Sequence, residues 1–170
     1  EDRGVVVAGL VVAIRAMNTR RGDRMAFVTL DDRTGRLELA VFSEQYERNR
    51  ELLVKDTLLV VEGQVSVDEY SGGFRMSADK LYNIDQARDV FAARLEIDVD
   101  ADLAGNGFVA ELKQILKPAT PGRCPVYLRY HNKEAAAEIM LGQEWRVVPT
   151  GAVLEHLTRL AGDGHVRLIY

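Results

Sequence analysis

The order of apolar runs between residues 5 and 84 constrains the fold of this chain more than any other feature. Five runs have the composition or the alternation of β-strands, and one helical run separates the third from the fourth. The five runs are Val5 to Ala16, Arg24 to Leu30, Arg36 to Phe42, Leu58 to Val67 and Phe74 to Ile84. The helical run is Ser43 to Leu53, with Ser43 as a candidate cap. This order predicts a small closed barrel whose end is covered by the helix.

Two of these runs carry the barrel prediction. The first, Val5 to Ala16, is too long for one flat strand, and its Gly9 indicates a bend or bulge that lets the strand be shared by both sides of a barrel. In the third run, apolar residues alternate with Arg36, Glu38 and Ala40, so one face lies on a core and the other is wet. This is the arrangement of an oligonucleotide-binding (OB) fold, which binds ligands on strands two and three and on neighbouring loops.

The second half of the chain predicts a separate α+β domain at residues 95–170, after a connector helix at residues 85–94. Its predicted order is β-α-β-β-β-α-β, with both helices on one sheet. The elements are Leu95 to Val99, Asn106 to Leu116, Pro125 to His131, Ala135 to Leu141, Glu144 to Val148, Thr150 to Ala161 and Val166 to Tyr170. Thr150 is the expected cap of the second helix, and Gly162 its expected stop. The predicted fold class is therefore mixed β and α+β, with the OB domain at residues 1–84.

Composition limits the classes of function. The 170 residues are 47% hydrophobic and 28% charged, enough for two small cores. The chain has no apolar segment of the ~20 residues that span a bilayer and no signal peptide, so no membrane partner is expected. The single cysteine, Cys124, suits a reducing compartment. Because the chain begins at Glu1 rather than methionine, we expect it to be a piece of a longer protein.

The sequence predicts no catalytic site, no metal site and no cofactor. His131, His156 and His165 do not have metal-ligand spacing, and the paired glycines lack the Lys-Ser/Thr of a phosphate loop. Asp31 and Asp32 are explained by a hairpin turn. The acidic group of Asp98, Asp100 and Asp102 is explained by a solvated strand end.

Charge indicates one local site for an anion. The net charge of −4 argues against nonspecific nucleic-acid binding by the whole chain. Four arginines nevertheless lie within ten residues around the first inter-strand loop, opposed only by Asp23. They are Arg15, Arg20, Arg21 and Arg24. Such a cluster can contact a few phosphates.

Two sets of residues resemble the bacterial replicative DNA polymerase III alpha-subunit family. The first set is Val7-Ala8-Gly9-Leu10-Val11, the run from Thr19 to Asp32 with its Gly22-Asp23-Arg24-Met25-Ala26-Phe27, Thr34-Gly35 and Val41-Phe42. It is similar to the OB domain of that subunit. The second set is Cys124-Pro125-Val126 and the run from Leu141 to Val147, up to the terminal strand. It is similar to the extreme C-terminal domain, so the resemblance covers essentially the whole chain.

The resemblance implies a non-catalytic part of a replicative DNA polymerase in the bacterial cytoplasm, at the nucleoid-associated replisome. In that family the OB module binds single-stranded template, and the last module docks the tau subunit of the clamp loader. The implied partners are single-stranded DNA, tau and the remainder of the polymerase chain. The polymerising carboxylates, the histidinol-phosphatase-like domain and the internal clamp-binding motif of the family lie upstream of the region resembled. We therefore expect no polymerase activity from this chain.

Phe27 is the leading candidate to stack on a base. It lies on the predicted second strand, in a Phe-x-x-Leu-x-Asp context similar to that of a base-stacking phenylalanine in the anticodon-binding OB domains of class II synthetases. The alternative is that Phe27 belongs to the core.

Arginines and one tyrosine complete the candidate site. Arg20, Arg21 and Arg24 are the leading phosphate contacts, and the alternative is a solvated hairpin tip. The weaker candidates are Arg15, Arg75 and Tyr70. Glu38 should project beside Phe27, at a position where the synthetase domains tend to carry a neutral amide. A carboxylate there would repel phosphate and relax base readout. The prediction is weak, sequence-tolerant binding.

The last domain offers surface for a partner. Its candidates are Trp145, Arg146, Leu168, Ile169 and Tyr170. Trp145 is either a core anchor or an interface residue. The alternative for the whole chain is a protein-interaction module whose OB fold no longer binds nucleic acid.

Overall fold

The computed structural model describes residues 3–67, 72–105 and 107–170. The chain divides into two compact units, Glu1–Ile84 and Asp85–Tyr170. Each unit has a hydrophobic core of its own.

The first unit is a closed five-stranded barrel, which confirms the predicted fold class. Its strands are β1 (Arg3–Asn18), β2 (Arg24–Asp31), β3 (Arg36–Val41), β4 (Leu58–Val67) and β5 (Phe74–Tyr82). They follow one another around the barrel in the order β1-β2-β3-β5-β4. The β3–β5 pair is parallel and the other pairs are antiparallel. The parallel pair needs a crossover, and the helical segment between β3 and β4 begins it.

Strand β1 is shared by both sides of the barrel, as its length predicts. Its first half pairs with β4 and its second half with β2, and Leu10 has a partner in each. The bulge falls between Val11 and Ala13, so the expectation of an irregularity at Gly9 is two residues off. Gly9 is instead a point of close approach, because a Cβ there would lie 3.1 Å from the Leu30 Cβ.

The helix α1 (Ser43–Asn49) continues as a 3-10 turn over Arg50–Leu52. Ser43 is not its cap: the N-cap is Phe42, and no side chain caps the helix. Tyr46, Leu52 and Leu53 pack against the barrel core, so the predicted apolar stripe does cover the barrel. The buried core residues are Val11, Ala26, Val28, Leu30, Leu39, Val41, Leu59, Val61, Met76, Ala78 and Leu81.

The second unit is a four-stranded sheet with helices. The connector is helix α2 (Ile84–Phe91), which begins one residue earlier than predicted and is followed by β6 (Arg94–Asp100). The fifth barrel strand ends at Tyr82, two residues before its predicted end. The remaining elements are α3 (Phe108–Leu116), β7 (Val126–His131), β8 (Ala136–Met140), α4 (Gly151–Ala161) and β9 (Val166–Ile169). The sheet order is β8-β7-β6-β9, with β6 and β7 parallel.

The predicted strand Glu144 to Val148 is wrong. Gln143–Trp145 form a 3-10 turn, and Val147 makes a single bridge to Cys124. The sequence also predicts a hairpin around Gly142-Gln143, but the hairpin joins β7 and β8, where the Asn132 Oδ1 accepts hydrogen bonds from the Glu134 and Ala135 amides. Val147 is fully buried, so it is apolar because it packs in the core and not because it belongs to a hydrogen-bonded strand. The observed order is β-α-β-β-α-β.

Helix α4 begins and ends where the sequence predicts. The Thr150 Oγ1 accepts a hydrogen bond from the Val153 amide at 3.4 Å. Gly162 ends the helix with φ of 96°, a conformation that favours glycine. Buried residues of α3 and α4, including Leu112 and Leu157, share the core with Leu95 and Ile97 of β6. The two helices therefore cover one face of the sheet.

Candidate nucleic-acid interface

Phe27 lies on the outer face of the barrel. Its neighbours on β2, Ala26 and Val28, are fully buried, and the alternation of the strand directs Phe27 to the opposite side. Its side chain is of intermediate exposure and is not part of the barrel core. The structure therefore does not support the core alternative for Phe27.

Two guanidinium groups lie against the Phe27 ring. Arg15 of β1 is the register partner of Phe27, and its Cζ lies 5.1 Å from the ring centroid. Arg75 of β5 lies 5.2 Å from the same centroid. Both distances are within the range of a cation–π interaction. The structure thus brings three predicted site residues from three strands into one cluster, which we call the Phe27 cluster.

Glu38 is next to this cluster, but not in the predicted manner. The residue opposite Phe27 on β3 is Ala40, and Glu38 is the register partner of Thr29 and of Arg75. Its carboxylate lies 2.7 Å from the Arg75 Nη2. Glu38 therefore contacts the Phe27 cluster through Arg75. This contact cannot be predicted from the sequence alone, because it depends on the register of the parallel β3–β5 pair.

The loop between β1 and β2 presents the other arginines. Thr19 organises it: its Oγ1 accepts from the Arg21 and Asp23 amides at 3.3 and 3.2 Å, and its carbonyl accepts from the Gly22 amide. Gly22 has φ of 90°, which the turn requires. Thr19 is not among the residues predicted from the sequence, although a threonine four residues before Asp23 is a turn signal.

Arg20, Arg21 and Arg24 are exposed around this turn. Within residues 3–67, 72–105 and 107–170, none of the three lies within 4.0 Å of a carboxylate oxygen. Arg24 and Phe27 are three residues apart on β2, about 10 Å along the strand. Tyr70 lies outside the described residues.

The partner candidates of the second unit are divided between surface and core. Arg146 is exposed, and Ile169 and Tyr170 are 36% and 69% exposed. Trp145 and Leu168 are partly buried and pack against the core, and Trp145 lies in the 3-10 turn rather than in a strand. The first three residues are therefore the more accessible to a partner.

The helix-free face of the second sheet carries an ion-pair cluster. Glu96 is 4% exposed, and its carboxylate lies 2.5 Å from Arg94 and 3.4 Å from both Arg129 and Arg167. Asp98 pairs with Arg129 and Arg167 as well. These arginines are neutralised within the sheet and do not form an open anion site.

The acidic residues considered as metal ligands have structural partners. The Asp32 carboxylate accepts from the Thr34 hydroxyl and from the Thr34 and Gly35 amides, and these bonds hold its pKa below the usual value. The pKa of Asp31 is also lowered, mainly by the hydrogen bond from Arg36. Asp100 accepts from the Leu103 amide at 2.7 Å. Among the residues described, no group of three His, Cys, Asp or Glu could hold a metal ion.

Cys124 is expected to be chemically silent in the folded protein. It is fully buried, and burial raises the pKa of its thiol to about 11. At pH 8 the smaller thiolate fraction alone should slow its reaction with a disulfide reagent on the order of 100-fold relative to an ordinary cysteine. Labelling the native and the guanidinium-unfolded chain with such a reagent measures this ratio. Equal rates in the two states would contradict the buried position.

None of the helices in the described parts of the chain is both long and apolar enough to cross a membrane.

Two family models match the chain. Residues 5–84 match the OB-fold nucleic acid binding domain. Residues 111–162 match the C-terminal domain of the DNA polymerase III subunit alpha. The first match coincides with the barrel, and the second begins within α3 and ends just beyond α4. These are the two domains, in the same order, that the resemblance implies.

Curated relatives align with nearly the whole chain. The DNA polymerase III subunit alpha of Vibrio cholerae is 42% identical over 167 residues, which are 98% of this chain and 14% of the relative. The Escherichia coli (strain K12) subunit is 41% identical over 169 residues, 98% of this chain and 15% of the relative. The chain therefore spans about one seventh of the length of these relatives.

Among solved structures, the SSB domain of a Synechococcus protein is similar in fold. It is 11% identical, with a TM-score of 0.42, and the match covers 47% of this chain and 93% of that domain. The family assignment rests on the sequence matches, which extend over both units. The chain belongs to the DNA polymerase III alpha-subunit family, in which it corresponds to the C-terminal region with its OB domain.

Proposed function

We propose that the barrel binds single-stranded DNA weakly and without sequence preference. The observation that carries the proposal is the position of Phe27, which lies on the outer face of β2 with Arg15 and Arg75 against its ring. Aromatic stacking and a cationic groove are the usual chemistry of sequence-tolerant strand binding. In this proposal a base stacks at Phe27, and Arg15 contacts the backbone.

The loop arginines supply the remaining phosphate contacts. Arg20, Arg21 and Arg24 are exposed, and the hydrogen bonds of Thr19 hold the turn that presents them. Their charges are available to a ligand because no described carboxylate lies within salt-bridge distance. The net charge of −4 and the Glu38 carboxylate oppose binding, which supports a low affinity.

The test is a salt titration of oligo-dT binding by fluorescence anisotropy on the whole chain. Each phosphate contact should contribute about 0.7 to the slope of log K against log salt concentration. Binding at low salt with a slope that reports several contacts supports the proposal. Absence of binding at low salt would favour the alternative of a protein-interaction module whose OB fold no longer binds nucleic acid.

We further propose that the second unit docks the tau subunit of the clamp loader and that the chain works in the bacterial cytoplasm, joined to the remainder of the polymerase. The match of residues 111–162 to the C-terminal domain of the polymerase family supports this role. Ile169 and Tyr170, exposed at the end of β9, offer apolar surface for a partner.

We expect residues 85–170 to bind tau with the affinity of the whole chain, and residues 1–84 not to bind it. Each half contains its own core, so each should fold when expressed separately. A pull-down with purified tau measures the result, and circular dichroism checks that both fragments are folded. Binding of tau by the folded 1–84 fragment would show that tau docks on the first unit, and it would contradict the proposal.

A further inference from the structure

Phe42 carries an exposed aromatic ring at the end of β3. It directly follows Val41, the last residue of the strand, and its carbonyl accepts a hydrogen bond from the Tyr46 amide at 2.8 Å. Its side chain is 53% exposed and is not part of the barrel core. The backbone of Phe42 is therefore held by the start of α1, while its ring is accessible to a ligand.

Phe42 lies on the same outer face of the barrel as Phe27. Ala40 is the register partner of Phe27, and the next residue, Val41, is fully buried in the core. Phe42 continues the extended backbone, with φ of −71° and ψ of 166°, so alternation directs its side chain to the face of Ala40. A residue two places beyond a register partner lies about 7–8 Å away, within reach of aromatic side chains. The two rings therefore occupy neighbouring positions on one surface.

Two methionines complete an apolar row with Phe42. Met25 lies two residues before Phe27 on β2, and its register partner on β1 is Met17. Continued by one residue, the β2–β3 register places Phe42 on the other side of Met25. Met25 is 9% exposed although it is outside the barrel core, and Met17 is 45% exposed. The row therefore lies on the outer face, between the Phe27 cluster and the β1–β2 loop.

We propose that Phe42 stacks on a second base of the strand that Phe27 binds. The inference rests on the proposed binding of single-stranded DNA by the barrel. Successive bases stacked on aromatic side chains beside a cationic groove are the usual arrangement in sequence-tolerant binding. With one base at Phe27, the strand continues over the row of Met17, Met25 and Phe42 toward the arginines of the loop. The path of the strand therefore follows β2 from the Phe27 cluster to the β1–β2 loop.

Replacing Phe42 by leucine should weaken the binding of oligo-dT by the whole chain about fivefold to 100-fold, the effect of losing one base stack. The salt slope should not change, because stacking involves no counterion. Fluorescence anisotropy at several salt concentrations measures both quantities. Thermal melting checks that the variant is folded, as we expect for a side chain outside the core.

Phe42→Trp is the conservative variant, because it keeps an aromatic face and adds a fluorescent reporter. Its affinity should lie within about twofold of the native value, and a stacked base should quench the emission of the new indole. Trp145 is the single tryptophan of the chain and lies in the second unit, so its emission is measured in the native chain and subtracted.

Leu58→Trp is the matched control for position. Leu58 is 55% exposed on β4, a strand that pairs with neither β2 nor β3. An indole there is also on the surface of the first unit, but it is away from the proposed path of the strand. We expect oligo-dT to leave its emission unchanged.

The outcomes separate the inference from the proposed function. Native affinity of Phe42→Leu, with weakened binding by Phe27→Leu, would overturn the inference and leave DNA binding by the barrel intact. Weakened binding by Phe42→Leu without quenching of Phe42→Trp would overturn it as well, because the residue would then not contact a base. Equal quenching of Phe42→Trp and Leu58→Trp would contradict a contact specific to this face. Absence of binding by the native chain at low salt would overturn both proposals.

Discussion

Replacement of Arg20, Arg21 and Arg24 together by glutamine is expected to lower the affinity for oligo-dT on the order of 100-fold at about 50 mM salt. The reason is that three phosphate contacts are lost from a loop whose cations have no described ion-pair partner. The slope of log K against log salt concentration should fall by about 2, from about 0.7 for each contact. Anisotropy titrations at several salt concentrations measure both changes.

The control removes three other cations from the same unit. Arg33, Arg50 and Lys55 are exposed, and within the described part of the chain no carboxylate lies within salt-bridge distance of them. Their triple glutamine variant changes the net charge equally but leaves the β1–β2 loop intact. Loss of affinity by both triple variants to the same extent would show that total charge, rather than this loop, determines binding.

Replacement of Phe27 by leucine is expected to weaken oligo-dT binding by roughly 1–3 kcal/mol, the value of one base stacked on an aromatic side chain. Leucine keeps an apolar side chain at this position but provides no ring for a base. Because stacking involves no counterion, the salt slope should not change. Anisotropy at one low salt concentration and a repeat of the salt series measure these two effects.

Phe27→Tyr is the matched variant, since it retains the aromatic face. It should bind like the native chain. The melting temperature of both variants should change little because Phe27 is outside the barrel core. Leu39→Ala in the core, by contrast, should lower the free energy of unfolding by about 2–5 kcal/mol. If leucine and tyrosine weaken binding equally, a role for stacking at this position is refuted.

The barrel could be predicted from the sequence because the hydrophobic pattern of its strands agrees with the way in which those strands pair. The apolar alternation in the β3 sequence and the length of β1 predict a curled sheet with one buried face. Ala40, expected on the wet face of β3, is buried as well. The close approach at Gly63 could not be predicted in this way. A Cβ there would lie 2.0 Å from the Ser77 carbonyl oxygen, and only the register of β4 and β5 reveals that contact.

The errors in the second unit have a related cause. Val147 is apolar because it fills the core, and the residues before it form a 3-10 turn. The apolar pattern therefore predicts a strand that does not form. At the candidate site, an aromatic residue on the predicted second strand and a cluster of arginines around the first loop are recognisable from the sequence as candidates for binding DNA. The pairing of Glu38 with Arg75 depends on two strands that are distant in sequence, so only the fold establishes it.

Binding of single-stranded DNA by the barrel is tested most directly by an NMR titration of the whole chain with oligo-dT at low salt. We expect amide shift changes in residues 19–27 of the β1–β2 loop and β2, and around Arg15 and Arg75 of the Phe27 cluster. Amides of β6 to β9 in the second unit should remain unchanged. Shift changes confined to the second unit, or no change at low salt, would contradict DNA binding by the barrel.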